Sequence, residues 1–154
     1  MVATQIEQLS NSLEDYMEAI FHIERKKQAA RAKDIAERLQ VSNSSVTGAL
    51  RLLAEKGLIN YAPYDIITLT PKGKELARTV ARKHAALLDF FVNVLHVQEA
   101  DAEEVACKME HGLSDDILER IKQFMKYLEA CPPECRAWLE RFNAQDAPQS
   151  SGEQ

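Results

Sequence analysis

Lys33-Asp34-Ile35-Ala36-Glu37-Arg38-Leu39-Gln40-Val41-Ser42-Asn43-Ser44-Ser45-Val46-Thr47-Gly48-Ala49-Leu50-Arg51-Leu52-Leu53-Ala54-Glu55-Lys56-Gly57 reads as two helices joined by a tight turn. Lys33–Leu39 is a short amphipathic helix, Gln40–Asn43 the turn, and Ser44–Gly57 a second helix with Val46, Leu50 and Leu53 on its core side. With the small Ala36 and the apolar Val41 at the crossing, the pattern fits a helix-turn-helix, whose second helix enters a DNA major groove. Ser42, Asn43, Ser44, Ser45 and Thr47 crowd the start of that helix. Short polar side chains there approach phosphates and base edges closely, and helix N-terminal amides favour phosphate. A serine-rich start is also ordinary N-capping, so the flanking segments have to decide.

Downstream, Leu58–Tyr61 and Ile66–Leu69 are β-prone runs around Ala62-Pro63-Tyr64-Asp65, a turn. Thr70-Pro71-Lys72-Gly73 then opens a long helix with proline at its first position. The first half of that helix carries Lys72, Lys74, Arg78, Arg82 and Lys83 against the single acid Glu75. Upstream, Ser12-Leu13-Glu14-Asp15 resembles a capping box. It opens a helix to about Lys27, with Leu13, Tyr16, Met17, Ile20, Phe21 and Glu24 on one side. Helix, helix-turn-helix, hairpin and helix in this order predict a winged helix-turn-helix in a mainly α chain. DNA contacts are expected from Ser42, Asn43, Ser44, Ser45, Thr47 and Arg51, with Lys72 and Lys74 near the backbone.

Charge divides the chain in the same way. Residues 1–84 hold 13 Lys/Arg against 10 Asp/Glu, whereas residues 85–154 hold 6 against 14, for an overall charge of −5. The basic front suits a polyanion and the acidic back a different task. No apolar run approaches the roughly 18 residues of a membrane span and no signal-peptide core is visible, so a cytoplasmic protein without membrane contact is expected. Three cysteines argue against a disulfide framework and leave thiols for metal or redox chemistry.

From His84 onward the apolar content rises. Ala85, Leu87, Leu88, Phe90, Phe91, Val92, Val94 and Leu95 are too many for one buried stripe and predict a core plus a subunit interface, hence a homodimer. Asp101-Ala102-Glu103-Glu104 resembles a second capping box, and its helix ends in Cys107-Lys108-Met109-Glu110-His111. Thiolate, carboxylate and imidazole at i, i+3 and i+4 project from one face of a helical turn and suit a divalent transition metal rather than calcium. Gly112-Leu113 breaks the helix, and Ser114 caps another with Ile117, Leu118, Ile121, Phe124, Met125 and Leu128 as its buried face. On the first helix Asp15, Glu18 and His22 line up opposite the apolar side, a stripe that solvent exposure alone would explain. Cys131-Pro132-Pro133-Glu134-Cys135 supplies two donors where a full metal site needs about four, which favours structural thiols.

These segments together resemble the diphtheria-toxin-repressor family of iron- and manganese-dependent transcriptional regulators, over roughly residues 10–128. The marks are Leu13-Glu14-Asp15-Tyr16-Met17-Glu18-Ala19-Ile20, Asp34-Ile35-Ala36-Glu37-Arg38-Leu39, Ser45-Val46-Thr47, Leu69-Thr70-Pro71-Lys72-Gly73, Arg82-Lys83-His84 and Glu110-His111-Gly112-Leu113-Ser114-Asp115. The resemblance implies an N-terminal winged helix and a helical dimerisation domain, in the shorter form without an SH3-like third domain. It also implies ligand roles for Asp15, Glu18, His84, Cys107, Glu110 and His111. Asp15 and Glu18 match manganese-type members and Cys107 matches iron-type ones, so Fe(II) and Mn(II) both stay open. Leu88 stands where iron-type members resemble one another in having a glutamate of an ancillary site, which implies that this second site is altered or absent.

The expected organisation is a DNA-binding domain at 1–73, a metal-binding and dimerisation domain at 74–143 and a disordered tail at 144–154. The expected function is a metal-activated regulator, acting as a repressor, that binds a palindromic operator as a homodimer. The competing reading is a winged-helix regulator sensing a small organic ligand or thiol oxidation. An enzyme has little support, because no oxyanion-forming loop accompanies the Cys and His of the 107–111 turn.

Overall fold

The computed structural model describes residues 9–62 and 66–145. The chain divides into two compact units, the first ending at Arg82 and the second beginning at Lys83, inside one long helix. Each is built around its own core.

The first unit opens with α1, Asn11–Lys27. Its N-cap is Ser10, whose hydroxyl accepts from the Leu13 amide at 3.4 Å, so the cap lies two residues before the Ser12 expected from sequence. Two serines compete here, and the earlier one satisfies a first-turn amide. Tyr16, Met17, Ala19, Ile20 and Ile23 form the buried side. The left-handed Gln28 ends the helix by donating its amide to the Glu24 carbonyl.

Helices α2 (Ala32–Leu39) and α3 (Asn43–Glu55) follow, joined through left-handed Gln40. Asp34 accepts from the Arg31 amide at 3.3 Å and from Lys27 Nζ at 2.7 Å, which anchors the start of α2. Val46, Ala49, Leu50 and Leu53 of α3 are buried with Ile35, and the helix stops at Gly57, whose φ of 67° is the left-handed conformation that glycine adopts without a Cβ penalty. This is the helix-turn-helix.

The wing is minimal. Strand β1 (Ile59–Asn60) pairs antiparallel with β2 (Thr68–Leu69), Ile59 opposite Leu69. Ile67 makes a further antiparallel bridge with Ala30, exchanging both amide–carbonyl bonds at 2.9 and 2.8 Å, so the segment between α1 and α2 acts as a third edge. Residues 63–65 of the expected turn lie outside the described residues.

Helix α4, Pro71–Asp89, follows directly on Thr70. The Thr70 hydroxyl donates to the Gly57 carbonyl at 2.8 Å and accepts from the Gly73 amide at 3.1 Å, tying the end of α3 to the start of α4. A Cβ at Gly73 would sit 1.9 Å from the Leu58 carbonyl oxygen, so this position tolerates only glycine without a backbone shift.

In the second unit α4 runs into a π-helical turn, Phe90–Val94, which the apolar run gave no means of foreseeing. Helix α5 spans Glu99–Glu110, beginning after Gln98 rather than at the Asp101 capping box, with Glu99 and Asp101 supporting its first turn electrostatically. Ser114 caps α6, Asp115–Glu129, by accepting from the Ile117 amide at 3.4 Å. Leu87, Ala106, Leu113 and Leu118 form the core, with Ala86, Leu88, Phe91 and Ile121 against it. The expected buried face of α6 is only partly buried within the chain: Leu118 is enclosed, but Ile117 and Phe124 are 54% and 48% exposed. Val105 and Met109 of α5 and Tyr127 of α6 are exposed too. Helix α7, Pro133–Gln145, extends two residues into the expected tail, and residues 146–154 lie outside those described. Its Asn143 side chain donates to the Val94 carbonyl at 3.0 Å, at the end of the π-helical turn.

Candidate metal centre

The second unit brings α4 and the end of α5 together at a carboxylate. Glu110 is 1% exposed, and its Oε2 lies 2.6 Å from His84 Nδ1. Its Oε1 lies 3.8 Å from His111 Nε2, on the residue that ends α5. The side chains of His84 and His111 are 14% and 6% exposed, so the group is largely withdrawn from water. A carboxylate buried this deeply is stable only with compensating donors or positive charge. Two imidazoles at its edge provide them, as protonated rings or as fellow ligands of a cation.

His84 is held from both sides, because its Nε2 lies 3.3 Å from Glu103 Oε2. Glu103 and Glu110 are two turns apart on α5 and bracket the ring, with Cys107 between them on the same helical stretch and half-buried. Glu103 was not among the residues singled out from sequence. It is four residues before Cys107, so helical periodicity could have placed it on the face, but nothing local indicates that His84 approaches there.

In the first unit Asp15 and Glu18 are half-buried on α1. Glu18 Oε1 lies 3.3 Å from His22 Nε2, so the third member of the stripe orients the second. Within the second unit, the Glu110 carboxylate, the His84 and His111 imidazoles and the Cys107 thiol are a mixed hard and borderline group of donors that fits Fe(II) or Mn(II) by chemistry. The buried Glu110 charge is the structural observation in favour of that fit.

On the helix-turn-helix, Ser42, Asn43, Ser44, Ser45 and Arg51 are exposed and Thr47 is half-buried. The Ser42 hydroxyl accepts from the Ser45 amide at 3.2 Å and meets the Ser44 and Ser45 hydroxyls at 2.9 and 2.8 Å. Thr47 donates to the Asn43 carbonyl at 2.9 Å. Ser42 and Thr47 thus shape the helix start, while Asn43 there and Arg51 further along α3 are exposed to solvent. A Cβ at the exposed Gly48 would meet nothing within 4 Å, which leaves that point of the helix surface bare. Lys72 is exposed, but Lys74 pairs with Glu24 at 2.8 Å. The second Glu24 oxygen accepts from the Leu69 amide at 3.1 Å, so this one acid joins α1, β2 and α4. Sequence reading placed Glu24 beside the apolar face without a role.

A winged helix-turn-helix joined to a helical unit with a buried carboxylate–imidazole cluster defines a DNA-binding regulator class. The N-terminal DNA-binding domain of iron-dependent repressors matches residues 8–66, and the metal-binding and dimerisation domain of the same repressors matches residues 70–138. An uncharacterized HTH-type transcriptional regulator of Methanocaldococcus jannaschii is 42% identical over 119 residues, covering 77% of this chain and 95% of that protein. The HTH-type transcriptional regulator MntR of Lysinibacillus sphaericus is 36% identical over 121 residues, covering 79% and 86%. Among solved structures, the manganese regulator SloR is similar with a TM-score of 0.67 and 30% identity, over 75% of this chain and 54% of that one. The chain therefore spans about half the length of that solved relative. It belongs to the iron-dependent-repressor family of metal-dependent transcriptional regulators, whose members are regulators rather than enzymes. Among the described residues no helix is long and apolar enough to cross a membrane.

Proposed function

We propose that this protein represses transcription from a palindromic operator, which it binds as a homodimer when Fe(II) or Mn(II) is held by Asp15, Glu18, His84, Cys107, Glu110 and His111. The carrying observation is the 1%-exposed Glu110 carboxylate between two imidazoles. A bound dication would supply the positive charge that a set of three carboxylates and a thiolate needs to come together. The chain's own residues do the rest: Glu110 and His84 fix each other's orientation, Glu103 holds the far side of the His84 ring, and His22 orients Glu18. Such orienting partners typically govern metal affinity as strongly as roughly 10–100-fold.

Asn43, Ser44, Ser45 and Arg51 read DNA from α3, with Ser42 and Thr47 holding the helix start in shape and Lys72 near the phosphates. Lys74 serves the backbone only when released from Glu24. A second copy of the chain covers the exposed Val105, Met109, Ile117, Phe124 and Tyr127, and the pairing of two recognition helices accounts for a palindromic site. The organisation is the DNA-binding domain at 1–73 followed by the metal-binding and dimerisation domain at 74–143, in a cytoplasmic protein.

The test is anaerobic titration of operator affinity with Fe(II) and with Mn(II), alongside the chelated protein. Tight binding only in the loaded protein is expected. Operator affinity that is equal with and without metal, but changes with an oxidant or a small organic ligand, would favour the competing reading.

A further inference from the structure

Helix α7 is held from one side. Cys135, Leu139 and Asn143, at i, i+4 and i+8, are half-buried and form its inner side. Two hydrogen bonds fix that orientation: the Asn143 side chain donates to the Val94 carbonyl at 3.0 Å, and Arg136 Nη2 donates to the Glu129 carbonyl at 3.0 Å. The outward side is exposed and carries Glu134, Ala137, Trp138, Arg141 and Ala144. Trp138 is 61% exposed and Phe142 43%, and their rings stack with centroids 6.2 Å apart and planes 14° from parallel. Ala137 and Ala144 leave a shallow open recess bordered by Glu134, Glu140 and Arg141. A tryptophan and a phenylalanine turned outward on an anchored helix mark an interaction surface rather than part of the chain's own core.

The charges on this side state what covers it. Glu134 and Arg141 lie seven residues apart, two helical turns on one face, too far to pair within the helix. An identical helix laid antiparallel brings the acid of each copy to the base of the other. A parallel one sets acid against acid and base against base, which opposes association.

We propose that α7 pairs antiparallel with α7 of a second copy of the chain, as a self-association contact separate from the exposed surface of α5 and α6. A two-fold axis crossing between Ala137 and Trp138 puts each Glu134 at the height of the other copy's Arg141, so both ion pairs form together. The same axis brings the two Trp138 rings beside each other, and the small alanines let the helix axes approach. A helix of 13 residues is about 20 Å long, and one such face buries less than the roughly 1,200 Å² of a stable independent interface. The contact therefore joins dimers that α5 and α6 already hold, and it yields tetramers at rising concentration. It requires neither metal nor DNA, so its failure would leave the repressor reading standing.

Trp138 is the single tryptophan of the chain, so its fluorescence reads the contact directly. As the intact protein is concentrated, Trp138 emission should shift to the blue and acrylamide quenching should fall. Sedimentation velocity should show dimers joining into tetramers over the same range. Glu134→Arg and Arg141→Glu, each with native circular dichroism and each still a dimer, should need about 10-fold or more higher concentration, because each sets like charges face to face twice. An equimolar mixture of the two variants should recover the wild-type curve: one contact then joins the two reversed side chains and the other the two native ones. Metal-dependent operator binding by the dimers should persist in both variants. The proposal is overturned if Trp138 emission stays that of an exposed ring at every concentration, if the mixture associates no better than the single variants, or if either variant loses the dimer itself.

Discussion

His84 Nδ1 and Glu110 Oε2 lie 2.6 Å apart across the contact between α4 and α5, and the carboxylate is 1% exposed. Twenty-six residues separate them in the chain. The pair makes Glu110 the least replaceable of the proposed ligands, since every alternative to a cation partner leaves a buried charge or costs a proton.

Glu110→Gln should therefore keep the fold and lose the metal response. The amide has the volume of the acid and an oxygen that can still accept from His84, but it lacks the charge. We expect Fe(II) and Mn(II) affinity to fall by about 100-fold or more, beyond the effect of losing an orienting partner, with an unchanged circular dichroism spectrum. Normal metal-dependent operator binding by this variant would remove Glu110 from the ligand set.

Cys107 should set the preference between metals. Mn(II) prefers oxygen donors, whereas a thiolate strengthens binding of later first-row ions. Activation by Fe(II) at lower concentration than by Mn(II) is expected, and Cys107→Glu should narrow or reverse that order in anaerobic titrations. Identical activation curves for both metals in both proteins would assign the preference elsewhere.

Glu24 should matter to stability more than its partner Lys74. Glu24→Ala leaves the Leu69 amide without its acceptor in a residue that is 4% exposed, at a cost of about 1–3 kcal/mol. Lys74→Ala removes a half-exposed ion pair worth less than about 1 kcal/mol. Urea midpoints of the two variants should rank accordingly; equal midpoints would mean that the Leu69 amide is satisfied another way.

Two glycines should respond oppositely to the same change. Gly73→Ala drives a Cβ into the Leu58 carbonyl and should shift the thermal midpoint down by several degrees. Gly48→Ala places its Cβ in open space within α3 and should stabilise that helix by up to about 1 kcal/mol. A destabilised Gly48→Ala would mean that the bare surface of α3 is occupied in solution.

Acid should weaken the start of α2 through Asp34. Its carboxyl is held below the ordinary range first by the hydrogen bond from Lys27, against a smaller opposing effect of burial, and further by the charge of Lys27 and the Arg31 amide. A lowered folded pKa adds stability that is present above the unfolded value and disappears as pH falls through the folded one. Asp34→Ala should cost about 1 kcal/mol near neutrality, and the difference from wild type should shrink in the acid limb of a stability–pH series. A constant difference down to the acid limb would exclude this ionisation.

Much of this protein was legible before any tertiary contact was considered. The helix-turn-helix follows from the spacing of Ala36, Val41, Val46, Leu50 and Leu53, and the start of α4 from Thr70-Pro71. The shared face of Cys107 and Glu110 is equally a matter of helical periodicity, because three and four residues bring side chains one above the other. Local chain geometry alone decides such features. Competing local signals explain the small departures, as where Ser10 rather than Ser12 caps α1 and Gln98 rather than Asp101 precedes α5.

What the tertiary structure decided are meetings between segments distant in sequence. Packing of Leu87 with Ala106, Leu113 and Leu118 sets the contact of α4 with α5, and that contact carries His84 between Glu103 and Glu110. The Ala30–Ile67 bridge and the reach of Glu24 to Leu69, 45 residues away, likewise have no local signature. Periodicity states which side of a helix is apolar but not which other helix will cover it or at what height, so a polar side chain at the rim of that face takes its partner only when the core closes.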